Sequence, residues 1–170
     1  MVAQLVITRI LIDGAILTAI VAPILLLALY INPRLALSDY PEDVKAVVPP
    51  RTKRERRQGM LLAIPLLLAV IAVPLYSTWS LKQQNGGMMP YWMAFLTILG
   101  VLQIPVLFDL IVLDILMFYT WTPRFVVIPG TEGMPGYKDY RPHLRAHLTK
   151  GNAMLVVASA LLALIPTYLY

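Results

Sequence analysis

The amino-acid sequence predicts an all-α integral membrane protein: four transmembrane helices in two out–in–out hairpins, with two structured cytoplasmic loops. Three observations lead there. The chain of 170 residues is 59% hydrophobic, with a mean hydropathy of +0.72. Its apolar residues gather in four runs, each near the length of about twenty residues that crosses a ~30 Å hydrocarbon layer at ~1.5 Å per residue. Twelve of the fourteen Lys and Arg residues fall in just two of the connecting segments. Lipid admits only helices and closed barrels, and these runs lack the period-two alternation of a barrel. The spacing puts spans at about 5–31, 60–78, 91–119 and 152–170 and loops at 32–59 and 120–151, in one membrane domain covering 1–170.

The first span holds the apolar stretch Gly14–Ile31. It is too long for a secretion signal and has neither a basic cluster ahead of it nor a small-x-small cleavage site before Asn32, so it reads as an anchor. Arg9 and Asp13, four residues apart, suit a helical ion pair near its start. The chain leaves through Asn32-Pro33-Arg34. Asp39-Tyr40-Pro41-Glu42 then fits a helix start, with Asp39 as the cap and Glu42 reaching back. Val44, Val47 and Val48 give that short helix an apolar face to lay on the bilayer surface. Pro49-Pro50 stops it, and Arg51 to Arg57 follows with a local net charge of +4.

The second span is uncharged from Met60 to Tyr76 and ends in the polar turn Ser80–Gly87. The third, Trp92–Trp121, carries Asp109 and Asp114. It exits through Thr122-Pro123-Arg124 into Phe125–Ile128, an extended segment or short strand, and then a Gly- and Pro-rich turn to Gly136. A helix starting at Asp139 leads to the fourth span, apolar from Ala153 to Tyr170. The matching exits, the Asp-Tyr pairs at 39–40 and 139–140, and the basic-Gly re-entries at 57–59 and 150–151 are compatible with a parallel repeat.

The positive-inside rule sends both basic loops to the cytoplasm of a cell (inner or plasma) membrane and both termini outward. Tyr76, Trp79, Tyr91, Trp92, Tyr168 and Tyr170 then form an outer aromatic belt, and Tyr30, Tyr119 and Trp121 an inner one. The net charge of +5 is juxtamembrane, which fits an anionic leaflet rather than nucleic acid. With no cysteine, disulfides, thiolate metal sites and thiol nucleophiles are excluded. Phosphate-loop, Gly-x-Ser-x-Gly and His-Glu-x-x-His motifs are also missing from the sequence.

Three groups of residues could carry chemistry. A carboxylate inside a span costs roughly 2.5–3.5 kcal/mol on insertion scales, so Asp109 and Asp114 are paired, protonated or functional. Five residues turn an α-helix by about 500°, which sends the two acids ~140° apart, on different faces. Asp109 then suits a proton or cation site, and Asp114 a structural role. Asp139, His143 and His147 repeat every four residues on one helical face, a spacing that can hold zinc or another divalent metal. Arg141 and Arg145 sit beside them and oppose a cation, so the case for any cofactor is thin. Anion or lipid binding falls to Arg51, Lys53, Arg54, Arg56 and Arg57 in the first loop. Arg124, Lys138, Arg141 and Arg145 join them from the second.

Three functions fit these features. The one that asks least of the sequence is an accessory, interaction or anionic-lipid-binding subunit working through its basic loops. It would act as a homo-oligomer or within a larger membrane complex. The second is an interfacial enzyme on a lipid headgroup or prenyl substrate, with catalytic candidates Asp109, Asp114, Asp139, His143 and His147. The third is a small proton- or cation-coupled transporter using Asp109.

Overall fold

The computed structural model describes residues 2–169 and contains no strand among them. Met1 and Tyr170, the last residue of the fourth expected span and of the outer belt, lie outside the described residues. Four helices are long and apolar enough to cross a membrane: α1 (Val2–Ile31), α3 (Lys53–Gln84), α4 (Tyr91–Trp121) and α5 (Arg141–Tyr168). A short α2 (Glu42–Val47) lies between the first two.

The long helices overrun their apolar runs because local chemistry extends them. Thr52 starts α3 with a reciprocal capping box: its hydroxyl accepts from the Glu55 N–H at 3.2 Å, and Glu55 Oε2 accepts from the Thr52 N–H at 2.7 Å. The basic cluster from Lys53 onward therefore forms the first turns of the helix rather than a separate loop. Glu55 also accepts from Arg34 Nε at 2.7 Å and from the Asn32 amide at 3.1 Å, tying the end of α1 to the start of α3.

Helix α4 is the buried centre of the bundle, through Met93, Ala94, Ile98, Val101 and Leu102. It meets α1 at two reciprocal small-to-large contacts: Ile104 lies over Gly14, and Ile10 over Gly100. Small residues let membrane helices approach this closely. A Cβ at Gly14 would overlap Ile104 all the way back to that residue's own Cβ. Gly14→Leu should therefore force α1 off α4 and cost about 1–3 kcal/mol. It should appear as a lower unfolding midpoint in detergent, and an unchanged midpoint would refute the contact.

At one end of the bundle Arg9 donates to the Ser80 hydroxyl and pairs with Asp13 at 3.6 Å, the ion pair expected from their spacing. Tyr91 donates to the Ala160 carbonyl at 3.1 Å in the same region of the fold. At the opposite end, segments 32–52 and 122–140 fold onto each other as a single cap. Tyr40, Val44 and Val48 from the first pack against Ile128 and Tyr137 from the second. The Tyr40 hydroxyl donates to the Val126 carbonyl at 2.6 Å, and the Gly136 N–H donates to Asp43 Oδ2 at 2.8 Å.

Several local expectations change. The segment Phe125–Ile128 is not a strand: a 3₁₀ turn occupies Arg124–Val126, and the Ile128 N–H donates to the Tyr137 hydroxyl instead of to a neighbouring strand. Asp39 does not cap α2. It ends a 3₁₀ turn over Pro33–Asp39, and α2 begins after Pro41 with no side-chain cap. Nor does the valine face lie on the bilayer. Val44 and Val48 are buried in the cap, and only Val47 is exposed.

The second half of α4 is the feature that positions the site. From Asp109 to Trp121 the helix runs with i→i+5 hydrogen bonds, the wider π geometry. The change begins one turn after Pro105, whose missing N–H interrupts the α-helical ladder. The Asp109 N–H is shared between the carbonyls of Pro105 and Val106. The segment closes where the Thr122 N–H reaches the Met117 carbonyl at 2.7 Å, with Thr122 in the left-handed region at φ 53°.

Candidate metal centre beneath the loop cap

A cavity of about 700 Å³ lies under the cap and draws walls from all four long helices. Its sides are apolar: Leu25 and Leu29 of α1, Leu62 and Leu66 of α3, Leu113 and Met117 of α4. Its polar groups are few. Asp39 and Tyr40 come from the cap, Asp109 and Asp114 from α4, and His143, His147 and Lys150 from α5. An apolar pocket of this volume with a handful of converging polar groups is the ordinary form of a small-ligand site.

Both acids of α4 reach this cavity, against the expectation of different faces. The reason is the π geometry: i→i+5 bonding stacks residues five apart, whereas α geometry would have turned them away from each other. Asp114 meets both histidines. His143 Nε2 lies 2.7 Å and His147 Nε2 3.9 Å from the same oxygen, Asp114 Oδ2. The side chains are each about four-fifths buried, at 20% exposure for Asp114 and 23% for each histidine. The two imidazole rings lie 5.2 Å apart, and Tyr119 packs 6.0 Å from His143.

One oxygen and two imidazole nitrogens, all within 4.8 Å of one another, form a potential metal-ligand set. Asp114 Oδ2 and His143 Nε2 share a hydrogen bond at 2.7 Å, whereas ligand atoms bonded at ~2.0–2.1 Å to a tetrahedral ion sit roughly 3.3 Å apart, so this pair would part slightly to admit an ion. Two histidines and one carboxylate leave further coordination positions for water or substrate, the pattern of catalytic zinc and non-haem iron sites. The carboxylate of this set is Asp114 rather than the expected Asp139. Asp139 is exposed and its Oδ1 accepts from the Arg141 N–H at 3.2 Å, so it starts α5 and does not join the histidines. Arg141 and Arg145 do not line the cavity; they line a neighbouring surface depression that shares Ala146 and Lys150 with it.

The remaining basic residues have varied roles. Lys138 spans the end of α4, donating to the Thr122 hydroxyl at 2.8 Å and to the carbonyls of Thr120 and Tyr119 at 3.3 and 3.4 Å. Those carbonyls lack helical partners, and a cation there also suits the helix dipole. Arg51 donates to the Leu35 carbonyl at 2.7 Å and Arg56 to the Arg51 carbonyl at 3.3 Å, so both brace the first loop. Lys53, Arg54, Arg57 and Arg124 do not line the cavity.

The cap presents Tyr40 as a fixed donor. Burial first, then the neighbouring Tyr137 and Asp39, push its phenol well above the usual tyrosine range, so it keeps its proton and its bond to Val126. Its ring meets Phe118 at 5.2 Å and Tyr137 at 6.2 Å, both edge-on, which closes the roof with aromatic carbon. Tyr40, Asp39 and Lys150 were not marked as site residues by their spacing. What brings them to the cavity is the contact between two loops far apart in the chain. No protein-family model, curated protein or solved structure matches this chain, so its site is defined by its own geometry.

Proposed function

We propose that the protein is a membrane-embedded metalloenzyme that acts on the polar head of an amphiphile. Asp114, His143 and His147 hold one divalent metal, and the amphiphile's apolar part lies along the leucine wall of the cavity. The observation that carries this reading is the meeting of both imidazoles on one carboxylate oxygen inside a capped apolar cavity. An accessory subunit working through its surface loops needs no such convergence, and a transporter site at Asp109 does not account for the two histidines.

The charge distribution supports an orientation with the cap in the cytoplasm, which sets the cavity at the level of the inner-leaflet headgroups. The chemistry that suits the arrangement is hydrolysis of an ester in the head. A metal held by Asp114, His143 and His147 would supply a Lewis acid, and Asp109, the second carboxylate on the cavity wall, would take a proton from the water whose oxygen bonds to the ester centre. The bond to the leaving oxygen breaks, and that oxygen takes up the proton. The step needs no oxidant or reductant.

Metal analysis of the full chain purified in mild detergent tests the reading. One equivalent of zinc, manganese or iron per chain is expected, falling to near zero in both His143→Ala and His147→Ala. A wild-type chain that takes up no metal, yet copurifies with a partner through its loops, would return the protein to the accessory class.

A further inference from the structure

The cavity does not end at the histidines. Lys150 and Ala146 line both it and a neighbouring surface depression of about 480 Å³, whose other walls include Arg141, Arg145 and Thr149. Lys150 thus stands at the boundary of the two, with Arg141 and Arg145 of the same helix beside it. Other cations in the cap are already engaged: Arg34 with Glu55, Lys45 with Glu42, Lys138 with the carbonyls of α4. Among the described residues no carboxylate forms an ion pair with Arg141, Arg145 or Lys150.

Resting on the metal-centre reading, we propose that the head taken by this site is a phosphate carried at the end of an apolar chain. The metal would face some of its oxygens and Lys150 and Arg145 the others. Guanidinium and ammonium groups bind phosphate with charge-assisted hydrogen bonds, and an adjacent metal adds a Lewis acid to the same anion. The leucine wall explains why the phosphate belongs to a lipid: a free anion would leave that wall without an occupant. Asp39, Asp109 and Asp114 face the same cavity and would repel an anion. Phosphate binding should therefore require the metal, whose charge offsets theirs.

The test uses the full chain, metal-loaded, in neutral phosphatidylcholine nanodiscs. Farnesyl phosphate, farnesol and inorganic phosphate serve as probes, and native mass spectrometry counts what is bound. Farnesyl phosphate is expected to bind one per chain and saturably, at least about tenfold more tightly than farnesol. Inorganic phosphate should bind far more weakly, and chelation should abolish the preference. Lys150→Gln and Arg145→Gln, both at exposed positions, should each weaken farnesyl phosphate by about tenfold while metal content stays at one. Equal binding of farnesol overturns the phosphate, and equal binding of inorganic phosphate overturns the lipid. Unaltered binding by the two variants overturns the part given to Lys150 and Arg145. In each of those results a full metal count leaves the metal centre standing, whereas an empty wild-type chain removes the metal centre itself.

Discussion

Asp114→Asn is expected to empty the proposed metal centre and Asp139→Asn to leave it filled: that contrast is the largest effect expected from single substitutions in this chain. Both histidines direct Nε2 at Asp114 Oδ2, at 2.7 and 3.9 Å, from the adjoining helix. An asparagine keeps the shape and a carbonyl oxygen but removes the anion that a divalent ion needs. Even losing a group that only supports a metal ligand weakens binding by 10–100-fold, so losing a ligand's charge should cost on the order of 100-fold or more. Asp139 sits exposed at the start of α5 and accepts a backbone bond two residues on, so its loss should cost no metal. Metal-to-protein ratios after dialysis report the outcome. Metal retained by Asp114→Asn, or lost from Asp139→Asn, would sink the assignment. The bundle itself should survive both changes, because α4 is held mainly by the apolar core around Ile98 and Val101, and a thermal midpoint near that of the parent chain checks it.

The second large effect concerns the cap. Gly136 lies so close to the first loop that a Cβ on it would overlap the Asp43 carboxylate and approach Pro41 Cβ to 2.6 Å. Its N–H also donates to Asp43 Oδ2. Gly136→Ala must push the two loops apart, adding an overpacking penalty to the loss of a hydrogen bond to a charged acceptor. Together these should cost about 3 kcal/mol, or on the order of a hundredfold in local opening. Amide exchange should quicken at Val44 to Val48 and at Ile128 while staying slow through Ile98 and Val101. Metal should remain bound, because its ligands sit on α4 and α5 rather than in the cap. Slow exchange in both loops of the variant would mean that the contact does not hold the cap shut.

Hydropathy alone made the four long helices legible, because bilayer thickness leaves little freedom in the length of a span. The ends were harder. The Thr52-x-x-Glu55 capping box is plain in the sequence, but the surrounding positive charge drew the boundary to Met60 instead of Lys53. The histidine pair was also legible, since a four-residue spacing needs only a helix. Its carboxylate partner was not. Asp139 is four residues from His143, while Asp114 is 29 residues away and on another helix. Rotation by α-helical geometry turned Asp114 away from Asp109, and only the switch to i→i+5 bonding after Pro105 brings both to one cavity. The cap was hidden for the same kind of reason. Val44 and Val48 read as a membrane-surface face because their true neighbours, Ile128 and Tyr137, are remote in sequence.

That remoteness has a consequence for how the protein is made. Tyr40 and Val126 are separated by 86 residues, and Asp43 and Gly136 by 93. A ribosome adding about 5–20 residues per second needs roughly 4–17 s to cover the shorter gap. Throughout that interval the first loop is out of the ribosome with Val44 and Val48 uncovered, and two further spans must enter the bilayer before its partner appears. The cap is thus among the last parts of the molecule to form. A newborn chain stalled at that stage would offer quality-control proteases and chaperones an apolar handle that the finished protein conceals.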